Sequence, residues 1–312
     1  MSKLISIIIP TYNRSSFLRI AIESALKQSY KNIEIVVSDN CSTDDTAQMM
    51  EQYRDESRVK YFKNETNLGM VGNWRKALYE YISGEWAIIL SDDDYFVDDT
   101  YIQSVVELLQ EDSELVLVHA NQLEYIEDKE ETLTLEREFP RIMNGKDLFV
   151  NYHQNNLVFF LATTCFHVEK MRAIDVFQTE INSVDWLEFL KLSLYGKVGF
   201  IKSNVAVYRR HSQSISVASD LNRLLKNIDY ILLAYQHALE NGLVDTKLLE
   251  SWKKRMISRY IYMLLVGALQ AKDYKSVRSL WHYVSENYPF ALRSFFAPKM
   301  VVHFVRSIIG RG

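Results

Sequence analysis

Three consecutive aspartates, Asp92, Asp93 and Asp94, follow directly on the apolar run Ala87-Ile88-Ile89-Leu90. That placement delivers carboxylates to the point where a buried strand leaves a sheet, which is where α/β proteins hold their ligands. Hard cations such as Mg2+ and Mn2+ take oxygen ligands, and a diphosphate supplies the oxygens that a short acidic loop lacks. The triplet therefore reads as a bridge between a metal and a charged nucleotide. Taken alone it also reads as a solvated acidic turn capping the next helix, because helix N-termini attract Asp. The segments before it decide for chemistry.

Residues 4–9 form an apolar, largely β-branched run ended by Pro10, as expected of a strand buried on both faces. Thr11-Tyr12-Asn13-Arg14-Ser15 is a turn, after which Phe17, Leu18, Ala21, Ile22, Ala25 and Leu26 repeat at helical spacing. A second strand over residues 33–38 leads into a polar turn over 39–46 and a short helix over 47–54. A third strand covers 59–62, the loop 67–73 opens a helix over 74–82, and a fourth strand covers 86–90. Alternation of this kind predicts an α/β fold with right-handed crossovers and a mostly parallel sheet flanked by helices, its ligand loops at the carboxyl ends of the strands.

Four segments carry more than a fold class: Ile7-Ile8-Ile9-Pro10-Thr11-Tyr12-Asn13, Ser38-Asp39-Asn40-Cys41-Ser42-Thr43-Asp44, Asn67-Leu68-Gly69 and Leu90-Ser91-Asp92-Asp93-Asp94. In this order and spacing they resemble the family 2 glycosyltransferases of the GT-A fold. A later stretch, from Val184-Asp185-Trp186 to Val207-Tyr208-Arg209-Arg210-His211, extends the resemblance to about residue 215. It implies a GT-A catalytic domain over 1–215, with a nucleotide-sugar half over 1–100 and an acceptor half over 101–215. A helical C-terminal region over 216–312 lies outside it.

The resemblance also assigns roles. It implies that Asp39 accepts a hydrogen bond from the imide N3–H of uracil; an ionised carboxylate only accepts, so it pairs with uracil and repels cytosine. Asp39 is otherwise a turn or capping residue. Pro10, Thr11 and Asn13 then border base and ribose, and Asn67 and Gly69 lie beside the nucleotide, Gly because it lets backbone approach a ligand closely. Arg75 is a candidate phosphate contact or an ordinary exposed helical arginine. The register of the triplet stays open: Asp92 and Asp94 are the first choice for metal and ribose, with Asp93 as the alternative under the family's contiguous variant. His211 is a candidate metal contact, and Arg209 or Arg210 adds charge beside the diphosphate. The metal, Mn2+ or Mg2+, neutralises charge on the departing diphosphate. Asp185 is the implied general base of an inverting transfer, although the common Glu-Asp pair is Val184-Asp185 here. Asp175, Glu180 and Glu188 are the rival carboxylates, and a capping role for Asp185 is the structural alternative.

Composition agrees with an enzyme. With 312 residues and 48% hydrophobic content the chain buries a large core, and Cys41 and Cys165 are too few for a disulfide framework. The chain starts almost directly with a core strand, so a cytoplasmic enzyme without a signal peptide is expected, with no nucleic-acid partner. From residue 221 the pattern is helical, with Leu224, Ile228, Ile231, Leu232 and Tyr235 on one stripe and Ile257, Ile261, Leu264, Leu265 and Ala268 on another. After Glu286 there is no acid, and Arg293, Lys299, Arg306 and Arg311 alternate with Phe290, Phe295, Phe296, Met300, Val301, Phe304, Val305 and Ile308. Such a tail suits peripheral contact with the inner face of an anionic membrane, or packing on its own domain or a second subunit.

Processive members of the resembled family carry several transmembrane helices and a Gln-x-x-Arg-Trp motif, and neither is present here. The resemblance thus implies transfer of a single hexose or N-acetylhexosamine from a UDP-sugar to a glycan, teichoic acid, glycoprotein or lipid-linked acceptor. A sugar nucleotidyltransferase is the alternative enzyme class, but the turn after the first strand is not the Gly-rich basic loop a triphosphate needs. A nucleotide-binding scaffold on the same fold is the non-enzymatic alternative.

Overall fold

The computed structural model describes residues 2–134, 138–152, 157, 159–181, 183–211 and 221–296. Its first unit, Met1–Phe149 with Leu157–Val217, is built on one sheet. Strand β1 (Ile5–Thr11) is followed by helix α1 (Ser15–Leu26), β2 (Ile33–Asp39), α2 (Thr46–Met50), β3 (Val59–Lys63), α3 (Gly69–Lys76) and β4 (Trp86–Ile89). Then come β5 (Tyr95–Phe96), α4 (Tyr101–Glu111), β6 (Leu115–Ile126), β7 (Glu131–Thr134), β8 (Ile142–Asn144), α5 (Gly145–Asn151), β9 (Thr164–His167), α6 (Val168–Ala173), α7 (Val184–Ser193) and β10 (Lys197–Arg210).

The predicted α/β architecture is present. β3, β2, β1 and β4 lie side by side in parallel, and Ile5, Ile7, Ile8 and Ile9 of β1 have no exposed surface because helices cover both faces of a strand of this kind. α1 packs on this half through Leu18, Ala21, Ile22 and Ala25, the stripe expected from the spacing. Beyond β4 the sheet is mixed: β9 runs antiparallel between β4 and β6, β10 is parallel to β6, and β5 and β8 pair antiparallel with β10. The expectation of a mostly parallel sheet thus holds for the first half only. The second half is reached by strands whose apolar runs carry no direction signal.

Two helix boundaries also differ from expectation. α2 ends at Met50 and tightens into a 3-10 turn over Glu51–Tyr53. α3 begins at Gly69, and the following Ala77–Tyr81 is a π turn. The polar stretch that reads as loop is helical because Asn73 points inward, accepting from Ser38 Oγ at 2.7 Å and from Asn64 Nδ2 at 2.8 Å.

The amino end of the parallel strands is closed by Glu34, which is 4% exposed. Its carboxylate accepts from the Ser6 hydroxyl and from the amides of Ser83 and Gly84, and pairs with Lys60 Nζ at 2.6 Å. Burial pulls its pKa up, but the bonds from Lys60, Ser6 and Ser83 outweigh burial and hold it below the usual glutamate value.

The second unit, Val150–Asn156 with Ala218–Gly312, contains α8 (Leu221–Lys226), α9 (Ile228–Glu240), α10 (Thr246–Gln270), α11 (Tyr274–Asn287) and a 3-10 segment, Pro289–Phe296. Ile228, Ile231, Ile257, Ile261 and Leu265 are buried as the stripes predict, while Leu224, Leu232, Tyr235, Leu264 and Ala268 are half-buried. Trp252, Leu249, Leu280 and Val284 complete the core. α10 and α11 are each capped by an aspartate, Asp245 accepting from Leu248 N and Asp273 from Ser276 N, both at 3.0 Å. Phe295 and Phe296 meet the Trp281 ring edge-on, and Phe296 remains 70% exposed. Lys299, Met300, Val301, Phe304, Val305, Arg306, Ile308 and Arg311 lie outside the described residues. Among the described residues no helix is long and apolar enough to cross a membrane.

Glu34→Leu is expected to lower the unfolding free energy by about 2–4 kcal/mol, because buried donors and Lys60 lose their acceptor. Glu34→Gln, which keeps one carbonyl oxygen, should lose less. A depressed folded pKa supplies stability above the unfolded value of 4.5 and loses it as pH falls through the folded value, so urea midpoints of the wild type should drop below about pH 4.5. A Leu variant with the wild-type midpoint would remove this role from Glu34.

Candidate active site

Pairing fixes the first two contacts. Thr11 and Asp39 are register partners at the carboxyl ends of β1 and β2, so the two polar turns that follow leave the sheet side by side. Asn13, at φ +55°, occupies the left-handed region that Asn tolerates, and its Oδ1 accepts from Thr43 N at 2.7 Å. Its own amide donates to Ser42 Oγ at 2.9 Å, so Asn13 ties the β1 turn to the β2 turn. Pro10 stays within β1 opposite Ser38. Asp39 has no exposed surface; its Oδ1 accepts from Ser42 N at 2.8 Å and its Oδ2 from Tyr61 Oη at 2.6 Å. Burial and that bond to Asp39 together hold the Tyr61 phenol protonated well above its usual range. Asn67 Oδ1 accepts from Gly69 N and Asn40 Nδ2, both at 2.9 Å, which folds the 67–69 turn onto the β2 turn.

The triplet after β4 is split among three environments. Asp92 is buried; its Oδ2 accepts from Thr11 Oγ1 at 2.8 Å and its Oδ1 from Arg14 Nη1 at 3.1 Å. Asp93 is more open, and its Oδ2 lies 2.9 Å from Arg14 Nη1 and 3.0 Å from His211 Nε2. Asp94 is buried and accepts the backbone N–H of Arg209 at 3.0 Å. Burial, and next the charge of Asp93, raises the Asp92 pKa to about 6 against the pull of Arg14 and Thr11. The same two causes raise Asp94 well above the usual carboxylate range. Arg14 is the cation this cluster uses internally: burial lowers its pKa, but Asp92 and Asp93 outweigh that and raise it.

Arg209 is held differently. Its guanidinium carbon lies 5.0 Å from the Phe17 ring centre and 5.3 Å from that of Tyr95, and its buried Nε has no hydrogen-bond partner. Phe17 also stacks on His211, ring centres 5.2 Å apart. Arg210 turns away to Glu124 at 2.8 Å.

Asp94 Oδ1 accepts the Arg209 amide, which leaves acceptor positions on its carboxylate, and Asp93 Oδ2 and His211 Nε2 stand 3.0 Å apart beside it. An oxygen and an imidazole suit Mn2+ or Mg2+. Among the described residues no three His, Cys, Asp or Glu side chains converge on one point. A divalent cation here would take few protein ligands and the remainder from diphosphate and water, a common arrangement for Mg2+.

Asp185 lies in the first turn of α7, one residue past the opening Val184; Ser183 holds the cap position, so the capping alternative for Asp185 does not apply. Its carboxyl is partly accessible but walled by protein. Desolvation raises its pKa to about 7 against hydrogen bonds from the backbone amides of Trp186 and Asp185 itself. The rival carboxylates are otherwise engaged. Glu188, buried, accepts from Phe177 N at 2.9 Å and pairs with Lys191 at 2.7 Å. Asp175 pairs with Arg75 Nη2 at 2.7 Å, and Arg75 also donates to the Val176 carbonyl and lies over the Tyr79 ring. Arg75, a candidate phosphate contact from the sequence, here clasps the 175–176 loop. Glu180 approaches Gly69 so closely that a Cβ there would come within 2.9 Å of its Oε1, and Gly69 stands at φ +76°. The close approach expected at Gly69 thus involves a side chain of the protein itself.

Sequence reasoning missed Arg14, Phe17, Tyr61 and Tyr95 as parts of this end of the sheet. Arg14 and Tyr95 stand inside or next to the quoted motifs, which was the available signal. Phe17 reads as a core position of α1.

The model of the family described as glycosyl transferase family 2 matches residues 6–176, more than half of the chain. The chain belongs to that family. This glycosyltransferase is 32% identical over 115 residues to poly(ribitol-phosphate) beta-N-acetylglucosaminyltransferase TarS of Staphylococcus aureus, a match covering 36% of the chain and 20% of TarS. It is 41% identical over 92 residues to GalNAc(5)-diNAcBac-PP-undecaprenol beta-1,3-glucosyltransferase of Campylobacter jejuni, 29% of either chain. The matches thus span only a fifth to under a third of these relatives. In three dimensions it resembles TarS 1–349 of S. aureus with TM-score 0.67 at 16% identity, covering 98% of this chain and 92% of that one. The mannosyltransferase PcManGT from Pyrobaculum calidifontis, solved with GDP-Man and Mn2+, gives TM-score 0.61 at 14% identity over 100% of this chain and 89% of that one. The glycosyltransferase therefore has the GT-A fold, and family membership removes the nucleotidyltransferase alternative.

A raised Asp185 pKa penalises the folded state as the group ionises, so Asp185→Asn should stabilise the protein above pH 7 by about 1–2 kcal/mol, the full shift being discounted for partial accessibility. At pH 5, where the folded-state carboxyl is protonated, the difference should shrink. Thermal unfolding of both proteins at pH 5 and pH 8 measures it; a gap that is equal at both values contradicts the shifted titration.

Proposed function

We propose that the glycosyltransferase moves one hexose or N-acetylhexosamine from a UDP-sugar to a hydroxyl of a glycan, teichoic acid, glycoprotein or lipid-linked acceptor, with inversion and with Mn2+ or Mg2+. One observation carries the reading: Thr11, Asp39, Asp92, Asp93, Arg209 and His211 meet at the carboxyl end of the β1, β2 and β4 strands through bonds such as Thr11 to Asp92 at 2.8 Å and Asp93 to His211 at 3.0 Å. TarS 1–349, of similar fold, was solved with UDP-GlcNAc.

In this reading Asp39 recognises the uracil imide. Ser42 N and Tyr61 Oη each take one lone pair and fix the carboxylate, leaving a second acceptor position on each oxygen. Because Asp39 is fully covered, a base that pairs with it shifts the 40–44 turn. Asp93 and His211 hold the cation, which when bound neutralises charge on the leaving diphosphate. Arg14, which bridges Asp92 and Asp93, would add a positive charge on the phosphate side of that cation. Arg209 offers its guanidinium to the diphosphate. Asp185 takes the acceptor proton as the hydroxyl attacks, and a pKa of about 7 suits a base working near neutral pH. Domain limits of 1–215 for catalysis and 216–312 for the helical region, with peripheral membrane or subunit contact by the latter, complete the proposal.

Thermal unfolding with UDP, GDP and CDP, each with and without Mn2+, tests it. At about 100 times the dissociation constant a ligand adds roughly 2.7 kcal/mol, so a Mn2+-dependent shift with UDP that Asp39→Ala abolishes is expected. Asp185→Asn should keep that shift and lose transfer, while wild-type transfer should rise with pH through about 7 as Asp185 ionises. Equal shifts with all three nucleotides would reject the uracil assignment, and an active Asn variant would reject the base.

A further inference from the structure

Among the described residues, Arg209 is the one cation of the acidic end whose side chain is fixed by rings in place of carboxylates. Its backbone N–H is bound by Asp94 at 3.0 Å, which sets the origin of the side chain. Its guanidinium then lies 5.0 Å from the Phe17 ring centre on α1 and 5.3 Å from the Tyr95 ring centre on β5, within the range of cation–π attraction. Its buried Nε has no hydrogen-bond partner, although such donors are nearly always paired. Aromatic faces hold a guanidinium without consuming its N–H groups, whereas a carboxylate partner, as Arg14 and Arg210 have, does consume them. A guanidinium so held is fixed in position with no carboxylate on its donors, the condition for pairing with an anion instead. Phe17 also stacks on His211, so one ring supports both the arginine and the imidazole that faces Asp93.

We propose that Phe17 and Tyr95 are positioning residues for donor binding, a ring clamp that aims Arg209 at the β-phosphate of the nucleotide. The proposal rests on the nucleotide-diphosphate reading above and goes beyond it by assigning work to two side chains to which that reading gives no role. The clamp sits where β5 pairs with β10, Tyr95 opposite Val207, so the ring directly after the acidic triplet and the arginine after the strand's last core residues are brought together by sheet register.

The test compares affinities for UDP and UMP, which differ by the β-phosphate alone, in wild type, Phe17→Leu, Tyr95→Leu and Tyr95→Phe. A cation–π contact is worth about 0.5–2 kcal/mol, so each Leu variant is expected to lower the UDP-over-UMP preference by about 2- to 30-fold while leaving UMP affinity within twofold. Tyr95→Phe, which keeps the ring, should retain the preference, and Tyr95→Leu should have no further effect once Arg209→Ala is present. Parallel loss of UDP and UMP affinity, or an unchanged preference in the Leu variants, overturns the clamp while leaving the diphosphate reading in place. A wild type that binds UDP no better than UMP overturns the diphosphate reading and the clamp with it. If Phe17→Leu does not fold, Tyr95→Leu on its two-residue strand and the Arg209 cycle decide by themselves.

Discussion

A hydrogen bond between chain positions 115 residues apart, from the backbone N–H of Arg209 to the buried carboxylate of Asp94, joins the end of the longest strand to the loop that follows β4. An unpaired carboxylate in that position would be expensive to bury, and an unpaired amide only somewhat less so. The two groups satisfy one another and in doing so bring Arg209 and His211 to the acidic loop. Thr11, Asp39, Asp92 and Asp93 are supplied by the neighbouring parallel strands β1, β2 and β4 and the turns after them, and Asp185 by α7. The remote half reaches that end of the sheet through this contact and the short β5 pairing beside it.

The carboxyl and amino ends of the parallel strands treat acids in opposite ways. At the amino end Glu34 is surrounded by donors and a lysine, and its pKa falls. At the carboxyl end Asp92 and Asp94 crowd Asp93, and burial with mutual repulsion drives their pKa values up. One end is satisfied internally and serves stability. At the other, burial and mutual repulsion hold Asp92 and Asp94 at raised pKa, a strain that an added cation would relieve.

Much of this was legible in the sequence. Strands buried on both faces announce themselves as apolar runs, so β1, β2 and β4 and the polar turns after them followed from pattern, and the motifs in those turns gave the family. The acidic triplet was legible as a group but not residue by residue, since three adjacent Asp side chains alternate in direction and only the fold decides which meets an amide, an arginine or a histidine. The pairing of Arg75 was not legible because its partner, Asp175, lies 100 residues away in a loop without periodicity. Phe17 was hidden for the opposite reason: it obeys the helical stripe of α1 so well that nothing marks it as serving Arg209. The antiparallel β9 was unreadable because direction in a sheet is set by connections, not by composition.

Strand order has a consequence for the birth of the molecule. β4, with Trp86, Ala87, Ile88 and Ile89 all buried, is covered on one side by β1 almost as soon as it leaves the ribosome, but its other neighbour, β9, begins only at Thr164. At about 5–20 residues per second, this apolar edge stays open for roughly 4–16 seconds of synthesis. A bare strand edge of that kind is a template for pairing with another chain. The parallel strands made first therefore carry an open apolar edge until β9 closes it.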